Sequence, residues 1–166
     1  MKLMKMFFFS AIILFSIITG IGLLLPATVN ISRAIDISKD SAIVLSKLND
    51  IQQWSTWMEG LKDSATQKSF ENNSWKTSNT RIRIISTEKN SIKTGWETGS
   101  QTHESSFNVF AASENKTTVQ WLFVQHFKWY PWERVSSIFI EKGFGQVMEQ
   151  SLHNFKQICE SSNSEN

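Results

Sequence analysis

Cysteine occurs once in the 166 residues, at Cys159, which excludes an internal disulfide framework and a cysteine-built zinc site. The 3 histidines, His103, His126 and His153, fall at no metal-ligand spacing, so no metal site is expected. A Gly-x-Ser-x-Gly elbow is missing: Gly95-Trp-Glu-Thr-Gly99 has Glu where the nucleophile would stand. Gly143-Phe-Gly145 lacks the strand–turn–helix setting of a phosphate loop and reads as a hinge at a helix start. No cofactor is therefore expected. An excess of charge is missing too. All 15 acids lie after Pro26, and so do 15 of the 17 bases, because only Lys2 and Lys5 precede it. The outer part of the chain is neutral, and the formal net charge of +2 belongs to the N-terminal tip. That balance argues against a nucleic-acid partner, which calls for a basic surface.

Charge is absent altogether from Met6 to Leu25, the 20 residues MFFFSAIILFSIITGIGLLL. At about 1.5 Å per residue, a helix of that length is about 30 Å long, the thickness of a bilayer's hydrocarbon core. Two readings compete, a cleaved signal peptide and a retained anchor. A signal peptide has a shorter apolar stretch and a small-x-small cleavage site. Nothing near the end of this run resembles Ala-x-Ala, and no cysteine stands directly after it as a lipoprotein-type attachment site. The expectation is a retained transmembrane anchor over residues 1–25, a short linker over 26–28 and one outer domain over 29–160. Lys2 and Lys5 flank the run on its short side, and the other flank has nothing basic before Arg33. The positive-inside rule then puts the N-terminus in the cytoplasm and the domain outside, in the periplasm if the source is Gram-negative. Pro26 stops the helix so close to the domain that the domain is expected to sit directly on the membrane surface. Gly20 and Gly22 are two apart rather than four, so the small-xxx-small dimer motif is absent.

In the outer domain Val29, Ile31, Ile35 and Ile37 alternate with polar neighbours, the pattern of a half-buried strand. Arg33 interrupts the apolar face and marks a sheet edge. Ser38 is a candidate helix cap ahead of Ile43, Val44, Leu48 and Ile51 at helical spacing. A break at Asn49-Asp50 splits this helix from a second piece bearing Trp54 and Trp57, which Gly60 closes. Ser64 to Asn79 reads as a loop or short strand, with Phe70 and Trp75 as anchors. Four strand candidates follow, Thr80–Glu88, Ile92–Thr98, Glu104–Ala112 and Thr117–Lys128, separated by Lys89-Asn90 and other short polar turns. Strands joined this way imply an antiparallel meander. Phe144, Val147, Met148, Ser151, Leu152, Phe155, Ile158 and Cys159 then form the apolar stripe of a closing helix, with the polar tail 161–166 frayed beyond it. Val135, Ile138 and Phe139 suggest a helical turn, or a broken first half of that helix, before Gly143. The fold class is α+β: a curved antiparallel sheet with one long helix across its concave face.

Certain residues in this order resemble a known family. Val29–Ile37, then Val44-Leu-Ser-Lys-Leu-Asn-Asp50 and Trp54-Ser-Thr-Trp57, look like a strand, a helix, Asn-Asp and two tryptophans three apart. Thr117-Thr-Val-Gln-Trp121 is similar to a Thr-x-Val-x-Trp late strand. Trp129-Tyr-Pro-Trp132 through Gly145 to Leu152-His-Asn-Phe155-Lys156 and Glu160 looks like a closing helix with Gly ahead of a Leu-x-x-Leu-Lys-type element. Together they resemble the START-related (SRPBCC) superfamily, in its polyketide cyclase/dehydrase-like branch. The resemblance implies a helix-grip fold with an internal apolar cavity, and relatives that bind lipids, sterols or polyketides. The chain departs from the branch in a glycine-poor Thr80–Thr98 and in Ser38-Lys39 where the branch has proline. The branch has no shared catalytic residues, so none is carried over.

What the outer domain has in abundance is aromatic rings. All 7 tryptophans lie between Trp54 and Trp132. Rings are stiff and large, and a cavity walled by them suits an apolar ligand. Each ring taken alone reads as core filling. Taken as a set, the expected cavity wall is Trp54, Trp57, Trp96, Phe107, Trp121, Phe123, Phe144, Met148, Leu152 and Phe155. The leading expectation is a membrane-anchored binding module for a lipid or other hydrophobic small molecule. A cyclase- or dehydratase-like enzyme is the alternative, with His126, Glu97 or a Glu97/His103 couple as its only candidate acid and base. A second alternative is a structural or interaction protein with a closed core, in which Trp129, Tyr130 and Trp132 form a surface patch or an aromatic anchor on lipid headgroups. Glu59 and Asp63 read as a solvated pair, and Cys159 as a small core residue.

Overall fold

A computed structural model describes residues 2–62, 67–128 and 130–161. Residues 63–66, Trp129 and residues 162–166 lie outside the described residues, and with them the carboxylate partner read for Glu59, the start of the segment read as a loop or short strand, one tryptophan and the polar tail. The chain opens with α1 (Lys2–Leu24). Its stretch Met4–Leu24, 21 residues of mean hydropathy 2.4, is long and apolar enough to cross a membrane and is almost uncovered by the rest of the chain. A signal sequence near an N-terminus has the same character.

A single seven-stranded sheet follows, antiparallel at every pairing: β1 (Thr28–Ile37), β2 (Lys68–Glu71), β3 (Ser74–Thr77), β4 (Thr80–Glu88), β5 (Ser91–Thr98), β6 (Gln101–Ser113) and β7 (Lys116–His126). Its order is β1-β7-β6-β5-β4-β3-β2, so β2 to β7 form a meander and β1 returns to pair with β7 from Thr28↔His126 to Ile37↔Thr117. The sheet explains the alternation in the sequence. Ile31, Phe107, Val119, Trp121 and Phe123 face inward and are buried. Helix α5 (Pro131–Ser161) covers that face over its C-terminal half. Helices α2 (Ser41–Asn49), α3 (Trp54–Trp57) and α4 (Glu59–Lys62), with a 3₁₀ turn at Ile51–Gln53, fill one end. The antiparallel sheet wrapped on a C-terminal helix is the helix-grip arrangement expected of the α+β class.

Local chemistry corrects several sequence expectations. The helix cap is Asp40, not Ser38: its side chain accepts from the Ala42 N–H at 2.7 Å, while the Ser38 N–H donates to Glu160 on α5. Gly60 lies inside α4 rather than ending a helix. Residues 68–77 form a hairpin of two short strands, turned by Asn72 and Asn73 at positive φ, a conformation asparagine tolerates well. α5 is one unbroken helix of 31 residues, about 46 Å at 1.5 Å per residue, because Pro131 sits in its first turn where no N–H is needed.

Arg33 does lie on an edge strand, and it explains Gly145. The guanidinium passes beneath α5 to reach Glu149 Oε1 at 2.5 Å, and a Cβ on Gly145 would collide with Arg33 Nη2. Elsewhere the inward indoles find acceptors. Trp54 Nε1 donates to Leu48 O at 2.9 Å, Trp75 Nε1 to Ile51 O at 2.6 Å and Trp121 Nε1 to Ser105 Oγ at 2.7 Å. Ser105→Ala removes the acceptor of a fully buried N–H and is expected to cost about 1–3 kcal/mol in a denaturant titration of the detergent-solubilised chain. A cost no larger than that of Ser106→Ala, on the outer face, contradicts this account of the strand pair.

Candidate ligand-binding site

The side chains singled out as a cavity wall come from five elements. α3 supplies Trp54 and Trp57, β5 Trp96, β6 Phe107, β7 Trp121 and Phe123, and α5 Phe144, Met148, Leu152 and Phe155. The fold brings all ten into one interior, and the rings touch in a continuous series. Trp57 meets Phe155 at 5.0 Å between centroids, Trp54 meets Phe107 at 5.5 Å, and Phe107 meets Trp121 at 4.9 Å. Trp121 then leads to Trp96 at 6.1 Å, and Phe123 meets Phe144 at 4.5 Å. These are contact distances for aromatic pairs.

Burial divides the series. Trp54, Trp57, Phe107, Trp121, Met148, Leu152 and Phe155 are all sealed, with no more than 1% exposed. They interlock as a solid core in this structure. Trp96 and Phe144 are only half-buried, and Phe123 packs between them. The aromatic interior is thus closed at the α3 end and looser at the opposite end.

That looser end is the rim from which α1 departs. Trp96 pairs across the sheet with His103 near the start of β6, and the end of β7 at His126 pairs with Thr28, four residues after α1 stops. Arg134 near the start of α5 donates to the carbonyls of Leu23 and Leu25 at 3.4 and 3.2 Å, which fixes the base of α1 against α5. Tyr130 stacks on Trp132 at 5.1 Å beside this junction, and Trp132 and Phe139 are well exposed.

His103 is the polar residue of the loose end. Its ring is buried against Phe123 at 5.9 Å between centroids, and its Nδ1 has no hydrogen-bond partner. Trp57 Nε1 is likewise buried and unpartnered, unlike the other inward indoles. Unanswered polar groups in an apolar interior are costly, and each marks a place where a further oxygen would be stabilising. Spacing alone did not single out either atom; burial was needed to see that they lack partners.

The enzyme candidates do not assemble. Glu97 points to the convex face, where it pairs with Arg83 at 3.0 Å and Arg81 at 4.0 Å. His103 points to the concave face, so the Glu97/His103 couple is lost to the two-residue alternation of the strands. His126 is exposed at the end of β7, with Nδ1 hydrogen-bonded to Thr28 Oγ1 at 3.1 Å. Cys159 is buried in the core, and burial pushes its thiol pKa up to about 11, so it is an inert packing residue. Among the described residues no three His, Cys, Asp or Glu side chains cluster closely enough to hold a metal.

No family model matches the sequence, and no curated protein matches it. The fold does have solved counterparts. A START superfamily protein from Mycobacterium smegmatis superposes with a TM-score of 0.60 at 13% identity, over 81% of this chain and 99% of that one. Norcoclaurine synthase from Thalictrum superposes with a TM-score of 0.62 at 8% identity, over 82% and 97%. The di-domain ARO/CYC StfQ from the steffimycin biosynthetic pathway gives 0.61 at 8% identity, over 82% of this chain and 52% of that one. The chain therefore shares a START-like helix-grip fold with these proteins, and the likeness is one of fold.

Burial, and secondly the nearby His126, hold the His103 pKa below its ordinary value of 6.5. The unfolded chain then takes up the proton more readily than the native one. The stability that neutral His103 contributes is fully present above 6.5 and is lost as pH falls through the lowered native pKa. His103→Gln is expected to flatten that acid-side loss in a series of denaturation curves between about pH 7 and pH 4. An unchanged slope would show that His103 is not the group responsible.

Proposed function

We propose that this chain is a membrane-anchored binding module for a lipid or other hydrophobic small molecule, held between the sheet and α5. The observation that carries the reading is the uneven burial of one aromatic interior. A solid core at the α3 end stabilises the fold, and the half-buried Trp96 and Phe144 around Phe123 form the surface on which an apolar molecule can lie. Taking such a molecule out of water stabilises the complex by about 25 cal/mol per Å² of apolar area, offset by the cost of ordering it. All ten wall residues belong to this reading in different roles. Trp96 and Phe144 touch the ligand first, the buried Phe123 and Trp121 lie directly beneath them, and the other six side chains form the solid core that runs on to the α3 end.

The membrane part rests on α1 and on what surrounds its end. In this reading α1 stays in the bilayer with its N-terminus in the cytoplasm, and the domain at 29–160 stands on the outer face. Only Leu25, Pro26 and Ala27 separate α1 from β1, and the exposed Trp132, stacked on Tyr130 near that junction, suits the lipid headgroup zone. The loose end of the aromatic interior then opens where lipids are concentrated. START-like neighbours support the ligand class, since that fold encloses one helix in a curved sheet, although their likeness to this chain is one of fold.

Native mass spectrometry of the full chain, released from membranes in a mild detergent, is expected to show a bound lipid-sized species that survives detergent exchange. Trp96→Ala combined with Phe144→Ala should remove it while leaving the far-ultraviolet circular dichroism unchanged. Spectra of the unsubstituted chain that are always empty would sink the reading.

A further inference from the structure

The loose end of the interior does not finish in apolar surface. Beyond Phe123, at the start of β6 and the end of β7, lies a recess of about 200 Å³ lined by Gln101, Thr102, His103, His126, Phe127 and Lys128. Three of those six side chains bear basic nitrogens, two others are neutral hydrogen-bonding groups, and none is a carboxylate. Glu133 Oε2 is turned to the backbone N–H of Lys128, which donates to it at 3.0 Å, and does not line the recess. His103 joins the two environments. It lines the recess, it is more than nine-tenths buried, it packs on Phe123, and its Nδ1 has no partner.

We infer that this recess holds the anionic oxygen head, carboxylate or phosphate, of a single-chain amphiphile whose apolar tail lies on Phe123, Phe144 and Trp96. The inference deepens the binding function proposed above and rests on it. A hydrocarbon without a head would leave the buried His103 Nδ1 unanswered, whereas an anionic oxygen can accept charge-assisted hydrogen bonds, the stronger kind, from the imidazole and from the exposed Lys128. The position fits such a ligand. Thr28 ties His126 to the first residue of β1, and Ala27 O accepts from the Phe127 N–H at 2.8 Å, so the recess is fixed against the segment that continues α1. An amphiphile leaving the bilayer there keeps its head in the wet, donor-rich rim while its tail moves onto the rings.

The test uses the full chain in detergent micelles or nanodiscs and a fluorescent fatty-acid analogue as the displaced probe. Three competitors share one oleyl-length chain: oleate, oleoyl lysophosphatidate and oleyl alcohol. At least one anion is expected to bind about tenfold or more tightly than the alcohol, the scale of one or two charge-assisted hydrogen bonds. Which anion wins identifies the head. Lys128→Ala and His103→Gln should each lower the affinity of that anion and leave the alcohol unchanged. The exposed Lys128 serves as the variant that leaves folding undisturbed. Equal binding of all three competitors overturns the headgroup site and leaves the hydrophobic-binding reading standing. Binding of none overturns both. An anion preference that survives in both variants places the head elsewhere and overturns this inference.

Discussion

One packing constraint governs this molecule: a sheet whose concave face is lined with rings must be covered by a single helix. Indole and phenyl side chains bury large apolar areas, and they are too stiff to collapse into whatever space is left. Strands β5, β6 and β7, helix α3 and helix α5 therefore meet through a series of ring contacts running from Trp57 and Phe155 to Phe123 and Phe144. Where α2, α3 and α4 close over that series, the packing is complete, with Trp54, Trp57 and Phe107 fully sealed. Where no small helix covers it, at the β6 start and β7 end, Trp96 and Phe144 remain half-buried, and a recess lined by His103, His126 and Lys128 lies beyond.

The same geometry links the interior to α1. Because β1 is an edge strand paired to β7, the first residues after α1 are hydrogen-bonded to the rim of the aromatic interior rather than to a remote loop. α5 begins beside the end of α1 and then runs under the sheet past Gly145, where the missing Cβ leaves room for Arg33. The end of α1 and the half-buried rings thus share one end of the domain.

Much of this was legible from residue patterns, for identifiable reasons. Two-residue alternation located β1 and β4 almost to the residue, and the Phe144–Cys159 stripe located α5, because burial on one face imposes a period that composition cannot hide. The ten side chains expected to wall a cavity share one interior for the same reason, although seven of them are sealed in solid packing. Three things were not legible. The Asp40 cap and the unbroken start of α5 depend on a single side-chain bond and on where Pro131 falls relative to the first turn, not on periodicity. The division into sealed and open rings depends on which element lies above each ring. Glu97 and His103 looked adjacent across a turn, yet they end on opposite faces, because the register places Trp96, not Glu97, opposite His103. The recess at Gln101 to Lys128 was invisible, since it joins residues some twenty-five positions apart that carry no motif.

The central claim is that the open rings at the α1 end, and not the sealed ones, meet membrane-derived hydrophobic molecules. Photocrosslinking from a lipid that carries a diazirine in its acyl chain, in vesicles holding the full chain, tests it most directly. The account predicts adducts, beyond those on α1, that concentrate on the peptides bearing Trp96, Phe123 and Phe144 and spare Trp54 and the convex residues of β4. Labelling confined to α1, or spread evenly over the outer surface of the sheet, would contradict it.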